Sequence, residues 1–381
     1  MKIVTVIGAR PQIIKAAALS RAIKKINDFE NFIDEVIVHT GQHYDPEMSE
    51  VFFRELGIPQ PDYNLGVGSG HHGTQTAAMI DGIEKILLDE KPDWLVVYGD
   101  TNSTLAAAIA ASKIHIPVAH IEAGLRSFNK SMPEEINRIA CDHVSTLLFT
   151  PTKTGFQNLI SEGFKITNSA PYTIDKPGIF HCGDVMYDNS LYYGEIARSK
   201  TNIAERLQLL QKPFYLATIH RNNNTDDPER LNNIFGTLLK ITETSGVRMI
   251  LPLHPRTKKM MEAGLEPELK ARLSENTIHI VPPASFLEMI VLEQLSQMVF
   301  TDSGGVQKEA YFFERPCIIL RPETEWVELV QNGTARICDA DPERIMEAFR
   351  YFNNNENLEF PPVFGDGNAA KFILNHFIFN V

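Results

Sequence analysis

The sequence predicts an α/β fold of two doubly wound Rossmann-like domains that face each other across a cleft. The first half alternates short apolar runs with segments of helical period, and the second half repeats this alternation without a sequence repeat. Continuous β-branched runs are typical of strands covered on both faces. Strand–helix alternation implies parallel sheets with right-handed crossovers. A chain of 381 residues also corresponds to about two domains.

Local patterns place the elements of the first half. Strands are expected at residues 3–7, 35–40, 94–98, 118–121, 147–150 and, after a loop at 167–178, near 180–183. Helices are expected around residues 13–23, 46–56, 74–88, 104–113 and 134–144. The first domain should therefore span residues 1–180, completed by the C-terminal helix at 366–381.

The second half repeats the order of strands and helices. Strands are expected at residues 214–218, 248–253, 277–281, 298–301 and 317–320. Helices are expected at residues 228–242, 285–295, 306–313, 342–352 and, after a polar break, 369–379. The second domain should span residues 181–365.

Composition excludes several classes of function. The chain carries 36 Lys and Arg against 48 Asp and Glu, a net charge of −12, which argues against a general nucleic-acid binder. No apolar stretch approaches the roughly 18 residues of a membrane span, and the run at residues 3–7 is too short for a signal peptide. The four cysteines are far apart and form no C-x-x-C pair, so neither a disulfide framework nor a metal site is indicated. We expect a soluble cytoplasmic protein with buried, reduced thiols.

The first candidate turn follows the first strand. In doubly wound sheets, ligands bind beyond the carboxyl ends of the strands. Gly8 permits a tight turn there, and Pro11 suits the first position of a helix. Free N–H groups at this helix terminus, with Arg10 and Lys15 close by, favour an anionic ligand. The alternative is that both cations are ordinary surface residues.

A similar turn is expected in the second half. Ser303, Gly304 and Gly305 precede a helix, and small residues there expose backbone amides to a pyrophosphate. Glu309 lies just inside that helix, within reach of ribose hydroxyls. A simple capped helix is the alternative.

One glycine motif is rejected. Residues 68–73 match G-x-G-x-x-G, but no buried strand precedes them, so the dinucleotide context fails. We expect no nicotinamide site there, and His71 and His72 should be solvated loop residues.

Acidic residues at strand and helix ends attract more interest. Asp100 and Glu122 end neighbouring strands, and Glu134 and Glu135 begin a helix that carries Arg138 one turn later. Alone, Asp100 could be an N-cap and Glu134 a helix-dipole carboxylate. Together these carboxylates resemble an acid–base cluster whose mutual repulsion would raise one or more pKa values.

Two histidines end strands of the second half. His220 is followed by Arg221, and His254 by a Pro-Arg pair. A histidine at a strand end is often a polar residue with satisfied hydrogen bonds, but His220 and Arg221, expected opposite Arg10 across the cleft, could instead bind a diphosphate.

In this order the motifs closely resemble those of the non-hydrolysing UDP-N-acetylglucosamine 2-epimerases. The matching segments are G-A-R-P-Q-I-I-K (8–15), T-G-Q-H (40–43), Y-G-D-T-N-S-T (98–104), H-I-E-A-G-L-R (120–126), M-P-E-E-I-N-R (132–138), I-H-R (219–221), L-H-P-R (253–256) and T-D-S-G-G-V-Q-K-E (301–309). The resemblance spans nearly the whole chain. It implies the two-domain fold shared with B-type glycosyltransferases, a homodimer, and a UDP-sugar substrate used without metal or cofactor.

The resemblance also implies a mechanism and a set of site residues. Members of that family eliminate UDP to give 2-acetamidoglucal, then add UDP back with inversion at C2. The implied catalytic residues are Asp100, Glu122, Glu134 and His220. The implied substrate-binding residues are Arg10, Lys15, Arg138, His254, Phe286, Ser303, Gly304, Gly305, Glu309 and Arg321. Which carboxylate removes the C2 proton stays open.

Departures from the family pattern leave alternatives open. Gln12 stands where many members have Glu, and Asp45 stands where members activated by a second UDP-sugar have Gln, which puts allosteric activation in doubt. The start of the chain and residues 325–328 also look like relatives acting on UDP-2,3-diacetamido-2,3-dideoxyglucuronate. A B-type UDP-sugar glycosyltransferase is the alternative from another class, but it would not need these first-domain carboxylates.

Overall fold

The computed structural model describes residues 1–29, 32–41, 53, 56–275, 278–355 and 357–378. The chain divides into two compact units, Met1–Leu191 with Pro362–Val381 and Tyr192–Pro361. The domain boundaries and the cleft expected from the sequence stay predictions. No described helix combines the length and hydrophobicity that a membrane crossing requires.

The first unit is built on a parallel sheet. Its described strands are β1 (Lys2–Ile7), β2 (Asp34–His39), β3 (Tyr63–Asn64), β4 (Trp94–Tyr98), β5 (Val118–Ile121), β6 (Leu147–Thr150) and β7 (Gly178–His181). Its described helices are α1 (Arg10–Asn27), α2 (His72–Glu90), α3 (Asn102–Lys113), α4 (Pro133–Val144), α5 (Lys153–Ser161), the start of α6 (Val185–Lys200) and α16 (Ala369–Ile378). The strand order β3-β2-β1-β4-β5-β6-β7 puts the ends of β1, β4 and β5 side by side.

The C-terminal helix α16 packs within this first unit. The Phe377 ring stacks on Trp94, with ring centroids 5.5 Å apart. The Ala369 and Ala370 amides donate to the Asp188 carboxylate at 3.1 and 2.8 Å, which satisfies donors that a helix start leaves unpaired. The last helix is thus fixed by both its apolar face and its first turn.

The second unit repeats the plan on a smaller sheet. Its described strands are β8 (Phe214–Thr218), β9 (Arg248–Pro252), β10 (Ile278–Val281), β11 (Val299–Thr301), β12 (Cys317–Ile319) and β13 (Ala335–Ile337). Its described helices, after the end of α6, are α7 (Ile203–Arg206), α8 (Asn222–Thr225), α9 (Pro228–Ser245), α10 (Pro255–Gly264), α11 (Pro267–Glu275), α12 (Phe286–Leu295), α13 (Gly304–Phe312), α14 (Val327–Gln331) and α15 (Pro342–Asn353). In the strand order β10-β9-β8-β11-β12-β13, the chain adds strands on one side of β8 and then on the other, so the winding switches between β8 and β11. Doubly wound sheets bind ligands at such a point.

The predicted α/β class and its parallel sheets are confirmed. β4, β5, β6 and β8 have the bounds predicted from the sequence, and most other predicted strands differ by one or two residues at an end. The prediction missed β3 and β13, because runs of two and three residues carry too little pattern to detect. Most of the helix predicted at residues 46–56, and Thr277 of a predicted strand, lie outside the described residues.

Candidate active site

The turn after β4 places Asp100 at the carboxyl edge of the first unit's sheet. Gly99 has a φ of +63°, and a Cβ there would lie 2.9 Å from Lys15 Nζ and 3.4 Å from Glu122 Oε1. Glycine is therefore needed for both the turn and the close approach of two charged groups. The Asp100 carboxylate pairs with the Arg138 guanidinium at 2.5 Å and is 29% exposed. The ion pair with Arg138 therefore fixes the Asp100 carboxylate, which remains partly accessible to solvent.

Asp100 does not cap helix α3. The N-cap is Thr101, whose hydroxyl accepts a hydrogen bond from the Thr104 amide. The Asn137 side chain donates to the Asp100 carbonyl oxygen at 2.9 Å. The capping alternative considered from the sequence is thus wrong. The Asp100 carboxylate instead pairs with Arg138 on α4.

Glu122 ends β5 in an unusual backbone conformation. Its φ of +74° lies in the left-handed region, where non-glycine residues are uncommon. The Glu122 and Ala123 amides both donate to the Phe149 carbonyl oxygen, at 3.1 and 3.0 Å, so the strand ends in a bulge-like turn. This turn brings the Glu122 carboxylate to 2.6 Å from Lys15 Nζ, with the two side chains 9% and 12% exposed. Lys15 thus contacts one of the predicted catalytic carboxylates directly.

The turn after β1 differs from its prediction. The Gly8 and Ala9 amides donate to Gln12 Oε1 at 2.9 and 3.2 Å. The prediction that this turn offers free N–H groups to an anion is therefore wrong for these two amides, because a side chain from inside the helix accepts them. Gln12 Nε2 donates to the Tyr98 carbonyl oxygen at 2.9 Å, which ties α1 to β4. Arg10, exposed at the first position of α1, keeps its predicted place at the sheet edge.

The start of helix α4 separates two neighbouring acids. Glu134 is exposed, whereas Glu135 is only 1% exposed and pairs with Arg138 at 2.9 Å. Burial alone would raise the pKa of Glu135, but hydrogen bonds from the Ser127 and Phe128 amides and from Arg138 lower it overall. Glu135 therefore has a structural role, and Glu134 is the accessible carboxylate of the pair.

In the second unit, a buried carboxylate organises the ends of β8 and β11. Asp302 is fully buried and accepts hydrogen bonds from the His220 amide at 3.1 Å and the Arg221 amide at 3.0 Å. His220 Nδ1 lies 3.2 Å from the same carboxylate, and its side chain is 47% exposed. Burial, with the charges of Arg221 and His254 nearby, lowers the pKa of His220 against the opposing effect of Asp302. This environment favours a neutral imidazole facing solvent.

Helix α13 begins with small residues that its own packing does not require. The Ser303 hydroxyl caps the helix by accepting from the Val306 amide. A Cβ on Gly304 would meet its nearest protein atom, Arg321 Nη1, at 3.6 Å, and one on Gly305 would meet Ser303 Oγ at 3.8 Å. Both distances are ordinary contacts, and neither glycine has a positive φ. The fold thus does not require glycine at either position. Glycines of this kind are expected where a ligand approaches the backbone closely.

Side chains around this helix start also interact with one another. The buried Arg321 forms a two-armed ion pair with Glu325 at 3.0 and 3.1 Å. Lys308 Nζ lies 4.1 Å from the centroid of the Trp326 ring, a cation–π contact. Residues 325–328, which resemble the diacetamido-uronate relatives, therefore contact two cations, Arg321 and Lys308.

Glu309 has a buried acidic neighbour on α12. Glu293 is 0% exposed, and neither of its oxygens has a donor among the described groups. Burial, and then the proximity of Glu309, raise the pKa of Glu293 well above its usual value. Burial beside Glu309, the residue predicted to bind the ribose, thus favours the protonated form of Glu293.

Other sequence-predicted residues are found in varied surroundings. His254 caps α10, its ring nitrogen accepting from the Arg256 amide at 3.3 Å. Phe286 is buried at the start of α12 and packs edge-on against Tyr193. His72 begins α2 and lies 3.0 Å from Asn102, so the prediction that it is a loop residue is wrong. Asp45 lies outside the described residues, and among the described ones no three acidic, His or Cys side chains converge as a metal site requires.

The two parallel sheets with interleaved helices define a protein of the Rossmann-like α/β class, in which ligands bind beyond the carboxyl ends of the strands. The family model for UDP-N-acetylglucosamine 2-epimerase matches residues 24–377. A UDP-N-acetylglucosamine 2-epimerase homolog of Methanococcus maripaludis is 47% identical, covering 97% of both chains. The UDP-2,3-diacetamido-2,3-dideoxy-D-glucuronate 2-epimerase of Pseudomonas aeruginosa is 46% identical, covering 99% of both.

A solved structure agrees with these relatives. The crystal structure of Methanocaldococcus jannaschii UDP-GlcNAc 2-epimerase in complex with UDP-GlcNAc and UDP has a TM-score of 0.85 and 40% identity, covering 100% of both chains. The chain belongs to the UDP-N-acetylglucosamine 2-epimerase family and is an isomerase that acts on a nucleotide sugar. Family membership thus favours the isomerase over the glycosyltransferase alternative. The homodimer and the cytoplasmic location stay predictions.

Several residues near the first-unit site were not predicted as site residues from the sequence. Gln12 was noted only as a departure from the family pattern, and His120 and Arg126 only as letters in a matching segment. The position of His120 near the end of β5 was a usable signal for a site. Asp142 offered none, because its contacts are made through tertiary packing across 22 residues.

Proposed function

We propose that the chain epimerises UDP-N-acetylglucosamine at C2 to UDP-N-acetylmannosamine without hydrolysing it. The observation that carries this proposal is the pair of carboxylates, Asp100 and Glu122, at adjacent strand ends, each held by a cation at 2.5 and 2.6 Å. The C2 proton of an N-acetylhexosamine is weakly acidic, so its removal needs a positioned base coupled to a departing group.

The proposed reaction has two halves. In the first, a carboxylate removes the C2 proton, the C1–oxygen bond to the diphosphate breaks, and UDP leaves with that electron pair as C1=C2 forms. In the second, the UDP oxygen adds back to C1 and an acid returns a proton to C2 on the opposite face. Asp100, Glu122 and the exposed Glu134 supply the base and the acid, and the assignment among them is left open.

The second unit is proposed to bind the UDP portion. Gly304 and Gly305 leave backbone accessible to the diphosphate, and Glu309 accepts from the ribose hydroxyls. His220 contacts the diphosphate, whose negative charge opposes the lowering of the His220 pKa. The protonated ring then stabilises the charge that develops as UDP leaves. Arg321 adds positive charge in this unit, and Ser303, His254 and Phe286 are its further predicted substrate-binding residues. Arg10 and Lys15 are the predicted substrate-binding cations of the first unit. Arg138 of the first unit contacts the sugar.

A proton NMR time course in D2O with UDP-N-acetylglucosamine tests the reaction. The expected result is a growing anomeric signal of UDP-N-acetylmannosamine with deuterium entering at C2. Asp100→Asn and Glu122→Gln should each abolish both signals while retaining the circular dichroism of the folded protein. Turnover like that of the wild type in either variant would remove that residue from the mechanism. Free UDP without a new nucleotide sugar would contradict the non-hydrolysing reaction.

A second candidate substrate is UDP-2,3-diacetamido-2,3-dideoxyglucuronate. It is favoured by the 46% identity over nearly full length to an enzyme named for that sugar. The same NMR experiment run in parallel with both sugars separates the candidates through the ratio of their kcat/KM values. A ratio above about 100 in favour of the uronate, equivalent to roughly 2.7 kcal/mol, would replace the first substrate with the second.

A further inference from the structure

His120 lies inside the sheet directly beneath the first-unit site. Its side chain is 0% exposed. Nδ1 lies 2.7 Å from the Asp142 carboxylate, and Nε2 lies 2.8 Å from the Gly99 carbonyl oxygen. Both ring nitrogens are therefore at hydrogen-bond distance from an oxygen.

Neither of these oxygens can donate a hydrogen bond. A carbonyl oxygen only accepts, and a carboxylate only accepts when it is ionised. Asp142 is kept ionised, because His120 and Arg126 lower its pKa against the raising effect of burial. A neutral imidazole would set a lone pair against one of the two oxygens, so the ring must carry a proton on both nitrogens.

The charges around the ring balance. Asp142 also pairs with the Arg126 guanidinium at 2.8 Å, and Arg126 pairs with Glu162 at 2.6 Å. The His120 and Arg126 cations thus face the Asp142 and Glu162 anions. Cys141 on α4 is a further titratable neighbour of the ring. Burial alone would lower the pKa of His120, but Cys141 and Asp142 raise it well above its usual value.

The ring connects the two predicted catalytic carboxylates. The Gly99 carbonyl that it binds precedes Asp100, and Glu122 follows His120 by two residues on the same strand end. We propose that His120 is a positioning residue of the active site, a permanent imidazolium that fixes the Gly99 carbonyl, and with it the Asp100 carboxylate, relative to Glu122. This role rests on the proposed function of Asp100 and Glu122. His120 touches no substrate and exchanges no proton during turnover.

A substitution series tests the positioning role. His120→Gln keeps a donor but cannot bridge both oxygens, so Asp100 should shift slightly from its productive position. A misplacement of about 1 Å can cost roughly 100-fold in rate, so kcat should fall by about 10- to 100-fold. KM for the UDP-sugar and the Kd for UDP should change by less than about twofold, because UDP binding is proposed for the second unit. The control is His115→Gln on an exposed turn, which should leave kcat unchanged.

An unchanged kcat in His120→Gln, or a loss of UDP affinity equal to the loss of kcat, would overturn the positioning role. The second measurement needs no variant. In wild-type protein labelled with 15N-histidine, the His120 ring should show two nitrogen-bound protons at every pH from 6 to 9, assigned through bonds from its own backbone amide. A ring with one bare nitrogen at pH 8 would overturn the imidazolium whether or not turnover occurs. Wild-type protein that epimerises neither nucleotide sugar would instead overturn the proposed function.

Discussion

At the carboxyl edge of the first unit's sheet, two acids of the predicted site are paired with cations: Asp100 with Arg138, and Glu122 with Lys15. At the matching edge of the second unit, the buried acid Asp302 accepts backbone amides, and a helix begins with two glycines that its packing does not need. The first edge holds charge at fixed positions, as bond breaking requires. The second leaves backbone accessible, as binding of an anionic group requires. This difference is what the proposed function expects, with catalysis in the first unit and nucleotide binding in the second.

The largest effect should come from Asp100→Asn. Removing an acid or base from the reacting centre typically costs 10²- to 10⁴-fold, so kcat should fall by about 10³-fold while the Kd for UDP stays within about twofold of wild type. Steady-state kinetics and calorimetric titration with UDP measure the two quantities. Asp89→Asn on the exposed face of α2 is the matched control. A large loss of UDP affinity in Asp100→Asn would break the division between the units.

Asp302→Ala should destabilise the second unit. It leaves the part-buried His220 and Arg221 amides without their acceptor, and each unsatisfied group costs about 1–3 kcal/mol when buried. The free energy of unfolding should therefore fall by about 3 kcal/mol, measured by urea denaturation. Asp226→Ala removes an exposed ion pair with Arg256 and should cost less than about 1 kcal/mol. Similar losses in both variants would mean that Asp302 does not organise this edge.

Glu35 is an acid of the first unit whose pKa is determined mainly by burial. Burial raises the pKa of Glu35 to about 7, although Thr5 donates to it at 3.0 Å. Between the unfolded pKa near 4.5 and about 7, the folded state binds a proton that the unfolded state has released. The free energy of unfolding should therefore decrease as pH rises through this window.

Glu35→Gln should remove this dependence. It should stabilise the protein by about 2 kcal/mol at pH 8 and have little effect at pH 4.5. Urea denaturation at both pH values measures the difference, with Glu84→Gln on α2 as the control that retains the wild-type slope. An equal stabilisation at both pH values would show that the gain does not come from proton binding.

The smallest effect should come from Gly304→Ala. The added methyl group has room among protein atoms but would stand where the backbone is proposed to meet the diphosphate. The Kd for UDP should rise by about tenfold, roughly 1.4 kcal/mol, with no loss of stability. Gly236→Ala places its Cβ on α9 with no atom within 4 Å and should leave UDP binding unchanged. Equal UDP affinity in the two variants would remove Gly304 from the proposed binding site.

Sequence patterns predicted the framework of the fold well, because buried parallel strands such as Trp94–Tyr98 are continuous apolar runs whose ends are marked by Gly or Asp. Strand ends also predicted where the acids would collect. The partners of those acids were largely not predictable. The rule that helix starts bind anions failed at Gly8 and Ala9, because Gln12, one turn into the helix, accepts their amides. The contact of His120 with Asp142 depends on how α4 packs on the sheet, and no local pattern encodes it.

The left-handed backbone of Glu122 has a consequence for how the chain could change over generations. That conformation costs a non-glycine residue roughly 1–2 kcal/mol. In this conformation the Glu122 carboxylate forms its ion pair with Lys15 next to Gly99. Selection for stability alone would replace Glu122 with glycine or asparagine. A protein that evolved only toward higher stability at this position would keep its fold but lose the carboxylate that is proposed for catalysis.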